Sequence, residues 1–537
     1  MALNFFQLNF GLKFVIGTAA ALILLWQWQL QRTRATSSRN SQATRGAVLA
    51  VLGATAIFGW WNFGRANFSA GLIHYHEFFH YFLGSKYFPE LGYTGLYDCV
   101  AAADVQAGYP DRVATRWIRD LKTNELMGGE RRFAAANECR ARFDAPRWAL
   151  FMRDVDWFRR QFDRDKWAAI AGDHGYNATP VWNATGYVLS NMGPAGHQRI
   201  LLLALLDPLL LLIMWAVVWW AFGWETAAVA AIWWGANYPA RYTYIGGAFL
   251  RQDWMVLAVI AICLVRRGRL RAAGFALTWS TLLRIFPGFI VLGLLGKIAA
   301  DSIAARRLKL SRDHWRFAQG AVLAFLLLLP YSVTVGVRSP PDVSIWSAFA
   351  QNSRKHLQTP LTNNVGLPML ISFDPSSRAA RISKFWVDAP FDAWMAAHNR
   401  AFADRRLIYF AIVMGFVILL AMAAKGRDDW TALVLGIGAI PIFTAVTCYY
   451  YGILLGFGFL ALRDKLTGAA LTFLAAATII TPAIIAADDD RYMAVSAEIL
   501  LFVTAVTLLY AFNRRQAVRV HEAAPVAAGV PSSHGAA

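Results

Sequence analysis

Long apolar runs separated by short basic segments constrain the fold of this chain more than any other feature. Its 537 residues are 57% hydrophobic and 16% charged, and the mean hydropathy is +0.39. Many of the runs approach or exceed the roughly 17 to 25 apolar residues that cross a bilayer. The sequence therefore predicts an all-α, polytopic membrane protein and excludes a soluble globular domain.

Hydropathy and loop charge together predict about thirteen transmembrane helices, within a range of roughly 11 to 13. The predicted spans are residues 11–30, 46–63, 199–221, 226–238, 254–265, 271–285, 286–299, 317–336, 407–424, 430–447, 448–462, 466–486 and 493–512. Several of them are short, and residues 271–299 are also compatible with one broken hairpin. Residues 11–30 are expected to be retained, because no basic flank precedes them and no small-residue cleavage site follows.

The arginine and lysine clusters predict how the chain is oriented. Every basic loop falls on one side of the same alternation of spans: Arg32/Arg34/Arg39/Arg45, Arg266/Arg267/Arg269/Arg271, Arg306/Arg307/Lys309/Arg312, Lys425/Arg427, Arg463/Lys465 and Arg514/Arg515/Arg519. The positive-inside rule assigns that side to the cytoplasm. We therefore expect a multi-pass protein of the cytoplasmic (inner) membrane. Because the net charge of +19 concentrates in these loops, no nucleic-acid partner is expected.

Six regions follow from this topology. They are two N-terminal spans (1–63), a large periplasmic loop with interfacial helices (64–198), a transmembrane core (199–336), a second periplasmic loop (337–406), C-terminal spans (407–512) and a disordered cytoplasmic tail (513–537). Cys99 and Cys139 both fall in the first loop, where a disulfide is compatible with an oxidising compartment. Their spacing alone does not establish that pairing.

The densest cluster of titratable side chains follows the second predicted span. His74, His76, Glu77, His80 and Lys86 lie within thirteen residues at the mouth of a membrane protein, where unpaired charge is costly and usually functional. His76 and His80 are four residues apart, so a helix would place them on one face, with Glu77 as the general base of an HExxH zinc site.

A catalytic zinc ion needs a third protein ligand, and the sequence offers only weak candidates for it. Asp207 and Asp253 are carboxylates on later predicted spans, but no downstream histidine has a suitable spacing. The alternative for His74 and His80 is ordinary hydrogen bonding at the aqueous membrane surface.

Spacing from Glu77 supports a different chemistry. Glu77, His80/Tyr81 and Gly84 share one helical face at i, i+3/i+4 and i+7. A carboxylate just outside the membrane is placed to accept the proton of an acceptor hydroxyl. The neighbouring His76 or His80 would hold or tune that carboxylate.

Two sequence segments resemble polytopic GT-C glycosyltransferases that use polyprenyl-phosphate sugars, in the mannosyl- and arabinofuranosyltransferase-like branch. The first is Glu77-Phe-Phe-His80-Tyr81-Phe-Leu-Gly84, followed by Gly95-Leu96-Tyr97-Asp98, with Glu77 at the position of the family's aspartate. The second contains Arg251-Gln252-Asp253, an arginine-rich turn, Ala273-Gly274 and Arg284-Ile-Phe-Pro287, with Arg284 where the family carries lysine. Asn363-Asn364 is similar to an asparagine-rich element of the same branch.

Arg284 has a physical interpretation apart from this resemblance. It is predicted at the outer end of an apolar span, close to the helix-breaking Pro287. A cation there is costly unless it is paired, and a guanidinium binds phosphate in a bidentate manner. The alternatives are snorkelling to the interface or an ion pair with Asp253. Lys86 and Arg251 are predicted as further phosphate contacts near the outer face.

The resemblance implies a GT-C-like fold and the inverting transfer of one sugar from a polyprenyl-phosphate donor. The acceptor would be a glycan or lipid at the periplasmic face, and no metal or other cofactor is expected. Glu77 is the predicted catalytic base. The predicted substrate-binding residues are Arg284, His76, His80, Tyr81, Lys86, Arg251, Gln252 and Asn364. A membrane zinc metalloprotease and a lipid or solute transporter are the alternative functions.

Overall fold

The computed structural model describes residues 4–33, 38–67, 71–335, 343–384 and 389–513, and 77% of the chain is helical. The prediction of an all-α chain is therefore confirmed at the level of fold class. Within these residues, strands are confined to two short antiparallel ribbons, which pair Trp117–Arg119 with Leu126–Gly128 and Asn364–Val365 with Val446–Thr447. Apart from Asn513, the tail predicted to be disordered lies outside the described residues.

Eight helices in the described part of the chain are long and apolar enough to cross a membrane. They are Phe5–Thr33, Asn40–Trp60, His197–Phe222, Phe286–Ala305, Arg312–Thr334, Asp392–Ala424, Lys465–Ile484 and Asp488–Phe512. Each coincides with one of the predicted spans, and many of their large apolar side chains face outward, as lipid-facing side chains do. A multi-pass membrane protein follows from these helices.

The other five predicted spans coincide with shorter helices of 13 to 15 residues. They are Trp224–Ala236, Asp253–Arg266, Leu270–Leu283, Asp429–Phe443 and Cys448–Leu462. An α-helix of this length reaches only about 20 Å, less than the roughly 30 Å of hydrocarbon. Cys448–Leu462 is a 3₁₀ helix, and at about 2.0 Å per residue it extends farther. The count of about thirteen crossings therefore stays a prediction.

The loop between the second and third long helices, residues 64–198, folds around its own core. Its helical segments are Asn62–Gly64, Tyr75–Phe78, Phe79–Leu83, Gly84–Lys86, Phe88–Leu91, Leu96–Gln106, Pro110–Ala114, Gly129–Arg132, Phe133–Arg140, Ala145–Arg159, Arg164–Ile170 and Pro180–Asn191. Buried aromatic rings such as Tyr87, Phe151 and Phe158 fill its interior. Cys99 and Cys139 form a disulfide there, with their Cα atoms 5.3 Å apart. We call residues 64–198 the first long loop.

The second long loop, residues 337–406, contains Ile345–Gln358, Leu367–Ser372, Pro375–Ser377, Ala379–Ile382 and the start of Asp392–Ala424. It packs on the first long loop, since Asn124 Nδ2 donates to the Thr359 hydroxyl at 2.8 Å and Lys355 Nζ donates to the Leu121 carbonyl at 2.5 Å. Both long loops therefore lie at the same end of the membrane helices.

A connection of residues 246–252 brings the membrane core against the first long loop. The His74 N–H donates to the Gly247 carbonyl at 2.9 Å. Gly247 has a φ of +70°, and a Cβ added there would lie 1.6 Å from the Leu72 carbonyl oxygen. Only glycine permits this approach, because any side chain would collide with the neighbouring backbone. The site described below forms across this contact.

Candidate functional site

The titratable motif of residues 74–87 is a short helical segment with a π turn inside it. His74 caps the first turn, because its Nδ1 accepts a hydrogen bond from the Glu77 N–H at 3.3 Å. The helix Tyr75–Phe78 continues into the π turn Phe79–Leu83. Such turns insert one extra residue into a helix and occur frequently at functional sites.

Glu77 forms an ion pair with Arg251, which is distant in sequence. Glu77 Oε2 lies 2.9 Å from Arg251 Nε, and both side chains are largely buried. The contact is ionic rather than a well-aligned hydrogen bond. The Arg251 guanidinium also lies over the Tyr81 ring, 4.3 Å from its centroid, and its Nη2 donates to the Tyr449 hydroxyl at 3.0 Å. The predicted Glu77 and Arg251 therefore meet in one cluster.

Arg251 and Arg284 retain hydrogen-bonding capacity that no group within the described residues uses. Arg251 Nη1 is buried without a partner, and so are Nε and Nη2 of Arg284. Arg284 Nη1 donates only to the neighbouring Leu283 carbonyl at 2.8 Å. Arg284 interacts electrostatically with Arg251, Tyr450 and Asp253. Two buried cations repel each other, so an anion with several acceptor oxygens would satisfy both.

Three interactions hold Arg251 in place. Both carboxylate oxygens of Asp207 accept backbone N–H groups, that of Arg251 at 2.8 Å and that of Gln252 at 3.2 Å. The Trp182 indole donates to the Leu250 carbonyl at 2.9 Å. Leu250 has a φ of +50°, a left-handed conformation that non-glycine residues rarely adopt and that is often found near functional sites. The hydrogen bonds to Asp207 and from Trp182 thus fix the backbone that carries Arg251.

Sequence reasoning missed Tyr449, Tyr450 and the role of Asp207. The tyrosines begin an apolar segment that hydropathy assigns to a span, so only their position beside Arg251 reveals them. The sequence offers Asp207 only as a weak zinc ligand, but its carboxylate accepts the N–H groups of Arg251 and Gln252, just before the helix Asp253–Arg266. The sequence did contain one indication of a role for Asp207, because a carboxylate inside an apolar run requires a polar partner.

A second cluster of polar side chains lies on the other side of the motif. His76, His80 and Asp173 each offer a ligand atom within 4.8 Å of the others. His76 Nε2 is 3.6 Å from Asp173 Oδ2, and the two imidazole rings have centroids 4.7 Å apart. His80 Nδ1 donates to the His76 carbonyl at 2.8 Å, and its Nε2 lies 2.7 Å from the Tyr97 hydroxyl. Asp173 was not singled out in the sequence, because nothing local marks it.

Burial favours the neutral form of two histidines in and beside this cluster. Desolvation lowers the pKa of His80 to about 4, so the ring is neutral near pH 7. Desolvation likewise lowers the pKa of His174 to about 4. At Asp173, desolvation would raise the pKa, but the imidazoles of His76, His80 and His174 outweigh it and hold the pKa below its ordinary value. Asp173 is therefore an ionised carboxylate beside the imidazole rings.

The remaining predicted site residues have other contacts. Lys86 Nζ lies 2.6 Å from Asp154 Oδ2 inside the first long loop, so its ammonium is already neutralised. Gln252 is buried at the start of the helix Asp253–Arg266. Asn364 pairs with Thr447 in the second ribbon, two residues before Tyr449. Asn364 thus lies near the Arg251 cluster, whereas Lys86 does not share it.

A cavity of about 400 Å³ lies beside the cluster of His76, His80 and Asp173. Its lining includes Asp173 and His174 from the first long loop, and Arg241, Tyr244, Asn363, Trp394 and Tyr492 from other regions. The Tyr244 ring is tilted against that of Tyr449, with centroids 6.2 Å apart, and the Tyr449 hydroxyl accepts a hydrogen bond from Arg251. Comparisons of the chain with models of protein families, with curated proteins and with solved structures found no match.

Proposed function

We propose that this protein is an integral membrane glycosyltransferase that transfers a sugar from a polyprenyl-phosphate donor to a glycan or lipid acceptor. The observation that carries the proposal is the pair of buried guanidinium groups, Arg251 and Arg284, with unused donors beside the carboxylate Glu77. A phosphate monoester offers several acceptor oxygens and negative charge, which matches these donors. The sequence resemblance assigns Glu77 and Arg284 to the same tasks.

The ion pair between Glu77 and Arg251 has a place in this scheme. The Glu77 carboxylate and the Arg251 guanidinium balance each other's charge in this pair. A donor phosphate bound by Arg251 and Arg284 would compete with the Glu77 carboxylate for the Arg251 guanidinium. The contact between Glu77 and Arg251 would then weaken.

The reaction would be a single inverting displacement. Glu77 accepts the proton of the acceptor hydroxyl while that oxygen forms a bond to the anomeric carbon. The bond between this carbon and the phosphate oxygen breaks, and its electron pair leaves with the polyprenyl phosphate. Arg284 and Arg251 stabilise the charge that develops on the leaving group, as preorganised donors do in other enzymes. The carbon changes configuration once.

The cavity suits an acceptor. Trp394, Tyr244 and Tyr492 supply aromatic surface, and Asn363 and Arg241 supply hydrogen-bond donors. Sugar rings and lipid head groups both bind to such mixtures of aromatic and polar side chains. The disulfide Cys99–Cys139 in the first long loop supports an oxidising side of the membrane for this cavity, and therefore the periplasmic face.

A membrane zinc protease is the second candidate, because Asp173 supplies the third ligand that the sequence lacked. Against it, Glu77 is paired with Arg251 and would have to leave that pair to activate a metal-bound water.

A transporter is the third candidate, and it predicts movement of a solute without any bond being formed.

The test is an assay of purified protein in nanodiscs with a panel of polyprenyl-phosphate sugars, each carrying a radiolabelled sugar, and a membrane glycolipid extract as acceptor. We expect one label to move from the donor to a larger product. Glu77→Gln should abolish the transfer, because the amide cannot accept the proton. Glu90→Gln is the matched control, since Glu90 forms a similar ion pair with Arg147 at 2.7 Å in the same loop.

The outcome separates the three candidates. Label that reaches no product with any donor, from protein that is folded and monodisperse, would contradict the glycosyltransferase. Cleavage of a peptide library that depends on Glu77 would favour the protease. Accumulation of an unmodified labelled solute inside sealed vesicles would favour the transporter.

A further inference from the structure

From the structure, we infer that His76, His80 and Asp173 form a binding site for one divalent transition-metal ion, with Zn²⁺ the best match. This inference is independent of the proposed sugar transfer, because it rests on a different cluster of side chains. Among the described residues, these three are the one group of histidine, cysteine and acidic side chains whose ligand atoms converge to within 4.8 Å. Two imidazoles and a carboxylate are a ligand set common to zinc and iron sites.

Two of the three ligand atoms are already spaced nearly as they would be around a bound ion. His76 Nε2 and Asp173 Oδ2 are 3.6 Å apart. Two ligands held at about 2.0–2.1 Å from a tetrahedral Zn²⁺ would be separated by roughly 3.3 Å. Only small side-chain rotations are needed to close this gap, because both residues end in freely rotating groups at a partly open surface.

Neighbouring hydrogen bonds orient two of the ligands. The Nδ1 of His80 faces the His76 carbonyl at 2.8 Å, and a carbonyl can only accept, so Nδ1 carries the proton and Nε2 carries the lone pair. Asp173 Oδ1 accepts the His174 N–H at 2.7 Å, which leaves Oδ2 to face His76. Metal-binding histidines and carboxylates are typically held by such outer contacts.

One contact competes with the ion. The Tyr97 hydroxyl lies 2.7 Å from His80 Nε2 and donates its proton to this lone pair. A metal ion would replace that proton, and the loss of one neutral hydrogen bond is small beside the affinity of a zinc site. Tyr97 would keep its contact with the Gly175 N–H, which it accepts at 3.2 Å. Removing the Tyr97 hydroxyl should therefore strengthen metal binding.

The site has a route for the ion and a free coordination position. The side chains of His76 and Asp173 are 38% and 43% exposed, so an ion can reach them from solvent. Asp173 also lines the cavity of about 400 Å³. Three protein ligands leave a fourth position for water or another oxygen ligand, as in zinc sites that bind small molecules. That oxygen ligand would sit at the edge of the cavity.

The test measures metal binding directly and does not use activity. The full-length protein in nanodiscs is stripped of metal with a chelator and titrated with Zn²⁺, and the bound metal is counted by elemental analysis. We expect one Zn²⁺ per chain. His76→Ala and Asp173→Asn should weaken its binding by about 100-fold or more, since each removes a ligand. Tyr97→Phe should strengthen it several-fold.

His314→Ala is the matched control, because His314 Nε2 lies 3.4 Å from Asp429 Oδ2 as another His–Asp contact without a third ligand. That variant should bind Zn²⁺ like the wild type. If the alanine variant of His76 does not fold, Asp173→Cys with Co²⁺ gives a second measurement, since a cysteine ligand adds a thiolate-to-cobalt absorption band. Absence of that band, or Zn²⁺ binding that is equal in the wild type and in Asp173→Asn, would overturn the inference.

Discussion

Two buried ion pairs join the motif segment to the rest of the protein, and they differ in how fully their polar atoms are satisfied. In the first pair, Lys86 Nζ lies 2.6 Å from Asp154 Oδ2 and donates to the Gly193 carbonyl at 2.8 Å. Asp154 also accepts the Tyr87 hydroxyl at 2.8 Å and the Ala195 N–H at 2.9 Å. We call this pair closed, because both its ammonium and its carboxylate have further hydrogen-bond partners.

We call the second pair, Glu77 with Arg251, open, because a hydrogen-bond donor of its arginine has no partner among the described residues. Its atoms lie 2.9 Å apart, but Arg251 Nη1 has no partner among the described residues, and Arg284 nearby has two nitrogens in the same state. A buried charge with unused donors is unstable unless another group arrives to complete it. A closed pair therefore stabilises the fold, whereas an open pair has donors left to bind a ligand.

The largest expected effect concerns the closed pair. Lys86→Met should destabilise the protein by about 3–5 kcal/mol, because it leaves the Asp154 carboxylate buried without its cation. Lys166→Met, at the exposed pair with Asp163, should change stability by less than about 1 kcal/mol. The measurement is the midpoint of thermal unfolding in detergent. Unchanged stability together with lost sugar transfer would assign Lys86 to the site, as the sequence predicted.

The next effect concerns the open pair and its neighbour. Arg284→Gln should lower sugar transfer by about 10²–10³-fold, because the leaving phosphate loses a charged donor at the moment when its charge develops. Stability should change little, since Arg284 donates only one hydrogen bond, to the neighbouring Leu283. The assay is the initial rate at saturating donor. Arg266→Gln, at the far end of the adjacent helix Asp253–Arg266, is the control and should retain the wild-type rate.

A conservative change at Arg251 should have a smaller effect. Arg251→Lys preserves the charge that pairs with Glu77, but a single ammonium cannot also reach the Tyr449 hydroxyl. We expect kcat/KM for the donor to fall by about 10-fold, chiefly through KM. A fall above about 10³-fold, or none at all, would mean that the guanidinium fork has a different task from the one proposed.

The smallest effect concerns pH and the contact between the two long loops. Desolvation lowers the pKa of His356 to about 3, with Lys355 and His174 adding to the shift and Asp173 opposing it. Above about pH 6.5 the ring is neutral whether or not the loops are docked, so His356 adds no pH dependence to docking there. As pH falls from about 6.5 toward 3, the undocked state takes up a proton that the docked state excludes. Docking should weaken by on the order of 1 kcal/mol at pH 5.5.

Hydrogen exchange measures this loosening. Peptides from the helix Ile345–Gln358 should exchange faster at pH 5.5 than at pH 7.5 after correction for the intrinsic rate. Peptides from Ala145–Arg159, which contain no histidine, should show no such difference. In His356→Gln the difference should shrink, and what remains belongs to His174, whose pKa burial lowers in the same way. If it stays unchanged there, another group controls the docking of the two long loops.

The sequence predicted the parts of this protein that depend on local composition. The eight long apolar helices follow from runs of apolar residues, and the disulfide was an open possibility that the structure realises. Glu77 stood out because a carboxylate follows a membrane span, and Arg284 because a cation ends one. In each case the unusual solvation of one side chain was visible without any knowledge of its neighbours.

Tertiary structure alone decided which of these side chains meet. Arg251 reaches Glu77 because Asp207 and Trp182 hold its backbone, and no sequence period links those positions. Asp173 joins His76 and His80 across almost one hundred residues of folded loop, and Lys86 turns inward to Asp154. The physical reason is that solvation is a property of single residues and short segments, whereas pairing is a property of a three-dimensional contact that only packing creates.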